Sequence, residues 1–223
     1  MIRADYENTV LAHYSKTQVQ QEIVRFSQNR WVAVHCETVN PHGYQVLLRY
    51  DKVENDGRPP LMVTKPEHII ALLSRLKNLR PRTFHASICL YKELSRHEHV
   101  RDMRNITHCA PTWNIDNTPE KWKATMRAAK MITNFLLDEG VSKSVFVKWS
   151  GKGAHVHLHH QSLSSDLREK IAPLDAAYAT VEYVNRKLAE TFADITEEQN
   201  APDLRVDNEI DLQRVFTCPL SLH

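Results

Sequence analysis

The chain has 223 residues, of which 42% are hydrophobic, and this length is enough for one large domain or two small ones with a hydrophobic core. No apolar run has the length of a membrane helix and the N-terminus lacks the apolar centre of a secretion signal, so we expect an intracellular protein, cytoplasmic or nucleoid-associated. Four scattered cysteines without a C-x-x-C pair suggest neither a disulfide framework nor an all-cysteine zinc site, and a net charge of +2 does not by itself indicate a nucleic-acid partner.

Predicted helices and strands alternate through the first half of the chain. Thr17 followed by Gln20 has the pattern of a capping box, which predicts a helix from Thr17 to about Asn29. Pro66 suits the first turn of a second helix, which carries apolar residues at helical spacing from Ile69 onward. Runs rich in β-branched, aromatic and alternating residues predict strands at 31–35, 44–50, 83–91 and 110–116.

The second half continues the same alternation. Thr118 and Pro119 begin a strongly periodic helix that ends before Gly140. The remaining predicted elements are a strand at 144–149, a long helix at 174–193 and strand-like pieces within 204–216. The sequence therefore predicts a mixed α/β chain whose candidate chemistry lies after residue 110.

A basic band lies between Arg75 and Arg104, a segment that contains eight lysines and arginines but only three acidic residues. Such a band could follow a phosphate backbone, and the rings of Phe84 and Tyr91 could stack on bases. A solvated helix face with its loops is the alternative interpretation.

The segment WSGKGAHVHLHH joins a short glycine loop to the densest cluster of histidines in the chain. In the loop, glycines allow backbone N–H groups to approach an anion, and a hydroxyl and an ammonium group add donors. This chemistry predicts a phosphate cradle between two strands, formed by Ser150, Gly151, Lys152 and Gly153.

The histidines after the loop allow two interpretations. On a strand, His155, His157 and His159 would project from one face, because side chains alternate with a period of two. They could then form a three-histidine metal site or a histidine-triad nucleotide hydrolase. The triad pattern requires two apolar residues after its third histidine, whereas His160 and Gln161 stand there.

Candidate oxygen ligands lie at the end of the predicted strand at 110–116. Asn114 and Asp116 are separated by Ile115, so both side chains point to the same side of the strand. Oxygen groups on one face suit a hard divalent ion such as Mg²⁺ or Mn²⁺. Near the C-terminus the chain adds Asp211 and Arg214.

Taken together, these stretches resemble the small catalytic subunit of the archaeo-eukaryotic primase superfamily. That family carries an apolar-Asp-apolar-Asp pair, a Ser-Gly…Gly-x-His loop, and an Asp-x-x-Arg segment that runs into Pro-x-Ser-Leu-His. The similar stretches here are WNID at 113–116, SGKGAH at 150–155, DLQR at 211–214 and PLSLH at 219–223. NRWVAVH also resembles the segment before the family's first strand, which makes Arg30 a candidate nucleotide contact.

The resemblance implies an α+β fold with an RRM-like palm sheet packed with helices, preceded by an N-terminal α/β unit. We expect that unit at 1–110 and the palm at 111–223, together in one compact domain. The implied activity is that of a primase or prim-pol nucleotidyltransferase with two Mg²⁺ or Mn²⁺ ions and no zinc. Implied partners are nucleoside triphosphates, a single-stranded or primed template, and a larger primase subunit, helicase or C-terminal domain.

The resemblance also assigns residue roles. Asp116 and Asp211, together with Asn114, are the implied catalytic and metal-binding residues. The implied nucleotide-binding residues are Ser150, Gly151, Lys152, Gly153, His155, Arg214 and His223, with Arg30 as the loose match described above.

Several positions depart from the family pattern. Asn114 stands where the family has its first catalytic aspartate, and an amide contributes an oxygen but no negative charge. Thr217 stands where a basic residue is usual, and the chain ends at SLH where relatives continue, so we expect a truncated or minimal core. The alternative function is therefore a catalytically impaired module that binds nucleotide or single strands.

Overall fold

The computed structural model describes residues 9–51 and 58–223. The strands, numbered β1 to β10 in chain order, are Val32–Val39, Gln45–Leu48, Pro81–Ser87, Cys89–Tyr91, Ile106–Cys109, Thr112–Asp116, Val145–Trp149, Ala154–Leu158, Arg205–Asp207 and Val215–Thr217. The α-helices, α1 to α6, are Thr17–Ser27, Pro66–Arg75, Trp122–Asp138, Ser165–Lys170, Pro173–Lys187 and Ala189–Glu198, and residues 9–14 are also helical.

The chain divides into two compact units. The first contains the residues up to Asn105 together with Val215–His223, and the second contains Ile106–Arg214. This division differs from the expected boundary between residues 110 and 111 at two points: it falls five residues earlier, and the last strand joins the first unit.

The first unit is built on an antiparallel sheet in the order β10-β3-β1-β2. Alternate residues of β1, Val32 and Val34, enter its hydrophobic core together with Phe84 of β3. Ile23 of α1 and Ile69 of α2 join the same core, because each lies on the apolar stripe of an amphipathic helix.

The second unit follows the chain order β6-α3-β7-β8-α5-β9, with the short α4 and α6 on either side of α5. Its sheet has the strand order β7-β8-β6-β9, and every neighbouring pair is antiparallel. This is the β-α-β-β-α-β arrangement of ferredoxin-like folds.

The two faces of this second sheet differ in chemistry. Trp113 and Ile115 of β6 are completely buried, and helices α3 and α5 contact this strand. The alternating residues point to the opposite side, which we call the polar face. By register, the polar face carries Thr112, Asn114 and Asp116 of β6, Phe146 and Lys148 of β7, His155 and His157 of β8, and Arg205 and Asp207 of β9.

Helix boundaries depart from expectation at two places. The capping-box prediction is wrong, because Lys16 is the N-cap of α1 without a side-chain hydrogen bond, while the Gln20 amide donates to the Tyr14 carbonyl at 2.8 Å. The long helix expected at 174–193 is divided at Leu188 into α5 and α6. Among the described residues, no helix combines the length and the apolar character needed to span a bilayer.

Candidate active site

Asn114 and Asp116 form the centre of the polar face. The Asn114 Nδ2 atom donates a hydrogen bond of 2.8 Å to Asp116 Oδ2. Asn114 is only 4% exposed, whereas Asp116 is exposed at the end of β6. The two groups therefore share one side of the strand, as their spacing predicts, and the amide orients the carboxylate.

A second carboxylate reaches this centre from the neighbouring strand. Asp207 of β9 lies directly opposite Asn114, and Arg205 lies opposite Asp116. Side chains directly opposite in an antiparallel pair have Cβ atoms about 4.5 to 5.5 Å apart on the same face. The sequence analysis missed Asp207, although its signal was present: an aspartate follows the apolar Val206 in a strand-like run.

Asp211 lies outside the sheet, in the segment that connects β9 and β10. Its Oδ1 atom accepts a hydrogen bond of 2.6 Å from the Gln213 backbone N–H, so the carboxylate caps a turn. Arg214, at the end of this turn, forms an ion pair with Glu209. The catalytic role of Asp211 and the nucleotide contact of Arg214 stay predictions from the resemblance.

The glycine loop is the turn of the β7–β8 hairpin. The Ser150 N–H donates to the Gly153 carbonyl at 2.9 Å, and Gly151 has a φ of 102°, in the region that favours glycine. A Cβ atom on Gly153 would lie 1.9 Å from the Ile115 backbone oxygen. Gly153 is therefore required by the approach of the hairpin to β6, and it brings Ser150 and the exposed Lys152 to the end of that strand.

The histidines separate into different environments. His155 of β8 lies directly opposite Asn114, while His157 lies opposite Thr112, whose Oγ1 atom is 2.9 Å from His157 Nδ1. The Phe146 ring stacks on the His157 ring with centroids 4.8 Å apart.

His159 does not continue this pattern. β8 ends at Leu158, and the His159 side chain accepts a hydrogen bond from the Gln161 N–H. The expected projection of three histidines from one strand is therefore wrong at His159. Throughout residues 9–51 and 58–223, no three histidine, cysteine or acidic side chains form a group that could hold a metal ion.

The donor set beside Asn114 still has the chemistry of a hard-cation site. Asp116 and Asp207 provide carboxylate oxygens and Asn114 provides an amide oxygen, which suits Mg²⁺ or Mn²⁺ rather than the nitrogen and sulfur ligands typical of zinc. Two carboxylates compensate less cationic charge than the three expected in a two-ion centre. By themselves, these two carboxylates therefore suit one divalent ion better than two, and Asp211 stays a predicted further carboxylate.

Two candidate residues lie in the first unit. Arg30 is 6% exposed, its Nη1 atom donates to the Ser87 carbonyl at 2.5 Å, and its guanidinium lies 4.9 Å from the centre of the Phe26 ring. These contacts give Arg30 a structural role, and its nucleotide contact stays a prediction. His223 is exposed, and its backbone carbonyl accepts from Arg82 Nε at 3.1 Å.

The predicted basic band is compensated in part by carboxylates, which pair with four of its eight basic residues. Arg80 and Arg82 both form ion pairs with Glu37, at 2.6 and 2.9 Å. Further along, Arg75 pairs with Asp51, and Arg104 pairs with Asp102. These pairs favour the solvated-face interpretation over a continuous phosphate-binding track.

Comparison with known proteins identifies the fold. No family model and no curated protein matches the chain. Among solved structures, the chain is similar to the polymerase domain of ligase D from Mycobacterium tuberculosis in complex with DNA, with a TM-score of 0.65 and 12% sequence identity. The similarity covers 96% of this chain and 75% of that chain. The chain therefore shares the fold of that polymerase domain, in agreement with the predicted mixed α/β architecture.

Proposed function

We propose that the chain is a metal-dependent nucleotidyltransferase of the primase or prim-pol kind that acts on a nucleic-acid template. The observation that carries this proposal is the placement of Asp116, Asn114 and Asp207 side by side on the polar face. The fold similarity to a polymerase domain solved with DNA supports the same conclusion. The substrates are then nucleoside triphosphates and a single-stranded or primed template.

A divalent ion, Mg²⁺ or Mn²⁺, would be held by Asp116 and Asp207 with the amide oxygen of Asn114. When bound, such an ion lowers the pKa of the attacking hydroxyl and compensates charge on the transferred phosphoryl group. The chain's own contribution is orientation, because the Asn114 amide fixes Asp116 and the antiparallel register fixes Asp207.

The hairpin and β8 provide the proposed phosphate contacts. His155 lies beside Asn114 in register, so an imidazole N–H there can donate to a phosphate oxygen next to the ion. The turn of Ser150, Gly151, Lys152 and Gly153 adds backbone, hydroxyl and ammonium donors at the end of β6. Arg214 and His223 remain proposed contacts on the resemblance alone.

A primer-extension and de novo synthesis assay tests this function directly. The intact chain should incorporate nucleotides on a single-stranded template with Mn²⁺ or Mg²⁺, and Asp116→Asn should abolish incorporation. Lys143→Ala is a suitable control, because Lys143 is exposed outside the polar face. The absence of incorporation by the intact chain with either ion and with both ribo- and deoxyribonucleotides would contradict the proposal.

Asn114 favours a second candidate function, a primase-like module that binds nucleotide or single strands without synthesis. Its Nδ2–H donates to Asp116, which is an interaction that an ionised aspartate at this position could not make. The neutral amide therefore stabilises a single carboxylate and provides no charge for a second ion. Nucleotide and single-strand binding without incorporation in the same assay would support this alternative.

A further inference from the structure

A row of four side chains crosses the polar face from one edge of the sheet to the other. By register, Lys148 of β7 lies opposite His155, His155 lies opposite Asn114, and Asn114 lies opposite Asp207. With neighbouring strands about 4.8 Å apart, the row extends over about 14 Å. A cation therefore stands at the β7 end and a carboxylate at the β9 end.

The exposure of β7 is the reverse of the usual arrangement for an edge strand. Its apolar residues Phe146, Val147 and Trp149 are 37%, 39% and 45% exposed, whereas Lys148 is half-buried. Lysines on edge strands normally point into solvent, where they prevent pairing with other chains. Lys148 therefore lies on the polar face, in the same row as His155 and Asn114.

We propose that Lys148 binds the terminal phosphate of the nucleoside triphosphate. This inference rests on the proposed function, since it places the reacting phosphate at Asp116 and Asp207. From that end, the remaining phosphates extend along the row past His155 towards the β7 edge. Lys148 then supplies a positive charge from a residue outside the sequence motifs, in addition to those of Lys152 and Arg214.

The proposed Lys148 contact should distinguish nucleotides by the number of their phosphates. A contact to the terminal phosphate strengthens the binding of a triphosphate and leaves a monophosphate unaffected, because the monophosphate ends before Lys148. Loss of a charge-assisted hydrogen bond is expected to weaken ATP binding about 10- to 100-fold.

Calorimetric titrations of ATP, ADP and AMP in the presence of Mn²⁺ test the inference. Lys148→Met keeps the apolar stem and removes the charge, so it should reduce the preference for ATP over AMP about 10- to 100-fold while retaining AMP affinity. Lys148→Arg should restore the preference, and the control Lys143→Met should leave all three affinities unchanged. Circular dichroism of each variant separates a binding effect from unfolding.

The outcomes separate this inference from the function on which it rests. If the intact chain prefers ATP over AMP and Lys148→Met keeps the full preference, Lys148 does not bind the terminal phosphate, although the proposed function stands. If the intact chain binds none of the three nucleotides with Mn²⁺, both proposals are wrong. If Lys148→Met does not fold, Lys148→Gln takes its place with the same expected result.

Discussion

Asp207 of β9 lies directly opposite Asn114 of β6 in the antiparallel sheet of the second unit. Asn114 in turn holds Asp116 through a hydrogen bond of 2.8 Å, so three oxygen-bearing residues share one face at one strand end. Asp211, only four residues beyond Asp207, instead caps a turn outside the sheet. Asp207 is therefore the proposed third ligand on this face, and the metal-binding role of Asp211 stays a prediction from the resemblance.

Substitution of the two aspartates should therefore have unequal effects on metal binding. Asp207→Asn should lower Mn²⁺ affinity by about tenfold or more, because it removes one of two carboxylates from the ligand set. Asp211→Asn should change this affinity little and serves as the matched control. Mn²⁺ titration followed by electron paramagnetic resonance measures the affinity of both variants. A larger loss of affinity in Asp211→Asn would show that Asp211 is the metal ligand, as the sequence motif predicts.

Asn114→Asp should make the stability of the protein depend more strongly on metal than that of the intact chain does. Without metal, the substitution replaces a hydrogen bond by repulsion between two carboxylates, which should cost about 1 to 3 kcal/mol of unfolding free energy. With Mn²⁺, the added charge should strengthen binding and raise the incorporation rate. Thermal unfolding with and without Mn²⁺ measures the effect on stability.

Asn134→Asp provides the control for this substitution, because it makes the same change of charge at an exposed position of α3. Its melting temperature should respond to Mn²⁺ only as much as that of the intact chain. A response to Mn²⁺ of equal size in the two variants would mean that Asn114 is not part of the metal site.

Gly153→Ala should destabilise the second unit through a steric clash. Its Cβ atom would lie 1.9 Å from the Ile115 backbone oxygen, so the hairpin or β6 must shift, at a cost of at least about 2 kcal/mol. Gly140→Ala is the comparison in the same unit: its φ of 88° is strained for alanine, but no atom lies within 4 Å, so about 1 kcal/mol is expected. Urea unfolding compares the two, and a smaller effect for Gly153→Ala would contradict the close approach.

Tyr14→Phe should destabilise the first unit by removing the hydrogen bonds that hold its C-terminal segment. The Tyr14 hydroxyl donates to the Arg82 carbonyl at 2.5 Å, accepts from the Leu222 N–H at 3.1 Å and lies 2.8 Å from Ser221 Oγ. Its removal leaves these groups without that partner and should cost about 1 to 3 kcal/mol in unfolding free energy. Tyr44→Phe should have almost no effect, since Tyr44 is 72% exposed.

The same hydroxyl gives stability an alkaline dependence. Burial raises the pKa of Tyr14 from 10.0 to about 12. Because the folded pKa exceeds the unfolded one, this contribution is fully present below pH 10.0 and is lost as the pH rises through about 12. The difference corresponds to about 3 kcal/mol, so unfolding free energies over this range should fall more for the intact chain than for Tyr14→Phe.

Features that depend on neighbours in sequence were accessible from the sequence alone. The alternation of Trp113 and Ile115 with Asn114 and Asp116 fixed which residues share a face, because a strand has a period of two. The long apolar periodicity of α3 and the glycine turn before β8 were predictable for the same local reason. The mixed α/β architecture follows from these elements.

Features that depend on contacts between distant residues were decided only by the tertiary structure. Asp207 and Asp211 look alike in a strand-like run, and only the pairing of β9 with β6 places one of them beside Asn114. Likewise, the end of β8 at Leu158 separates His159 from His155, and Ser87 gives Arg30 a buried partner. Local periodicity determines the side of a strand on which a residue points, whereas the identity of the neighbouring strand is set by packing over the whole unit.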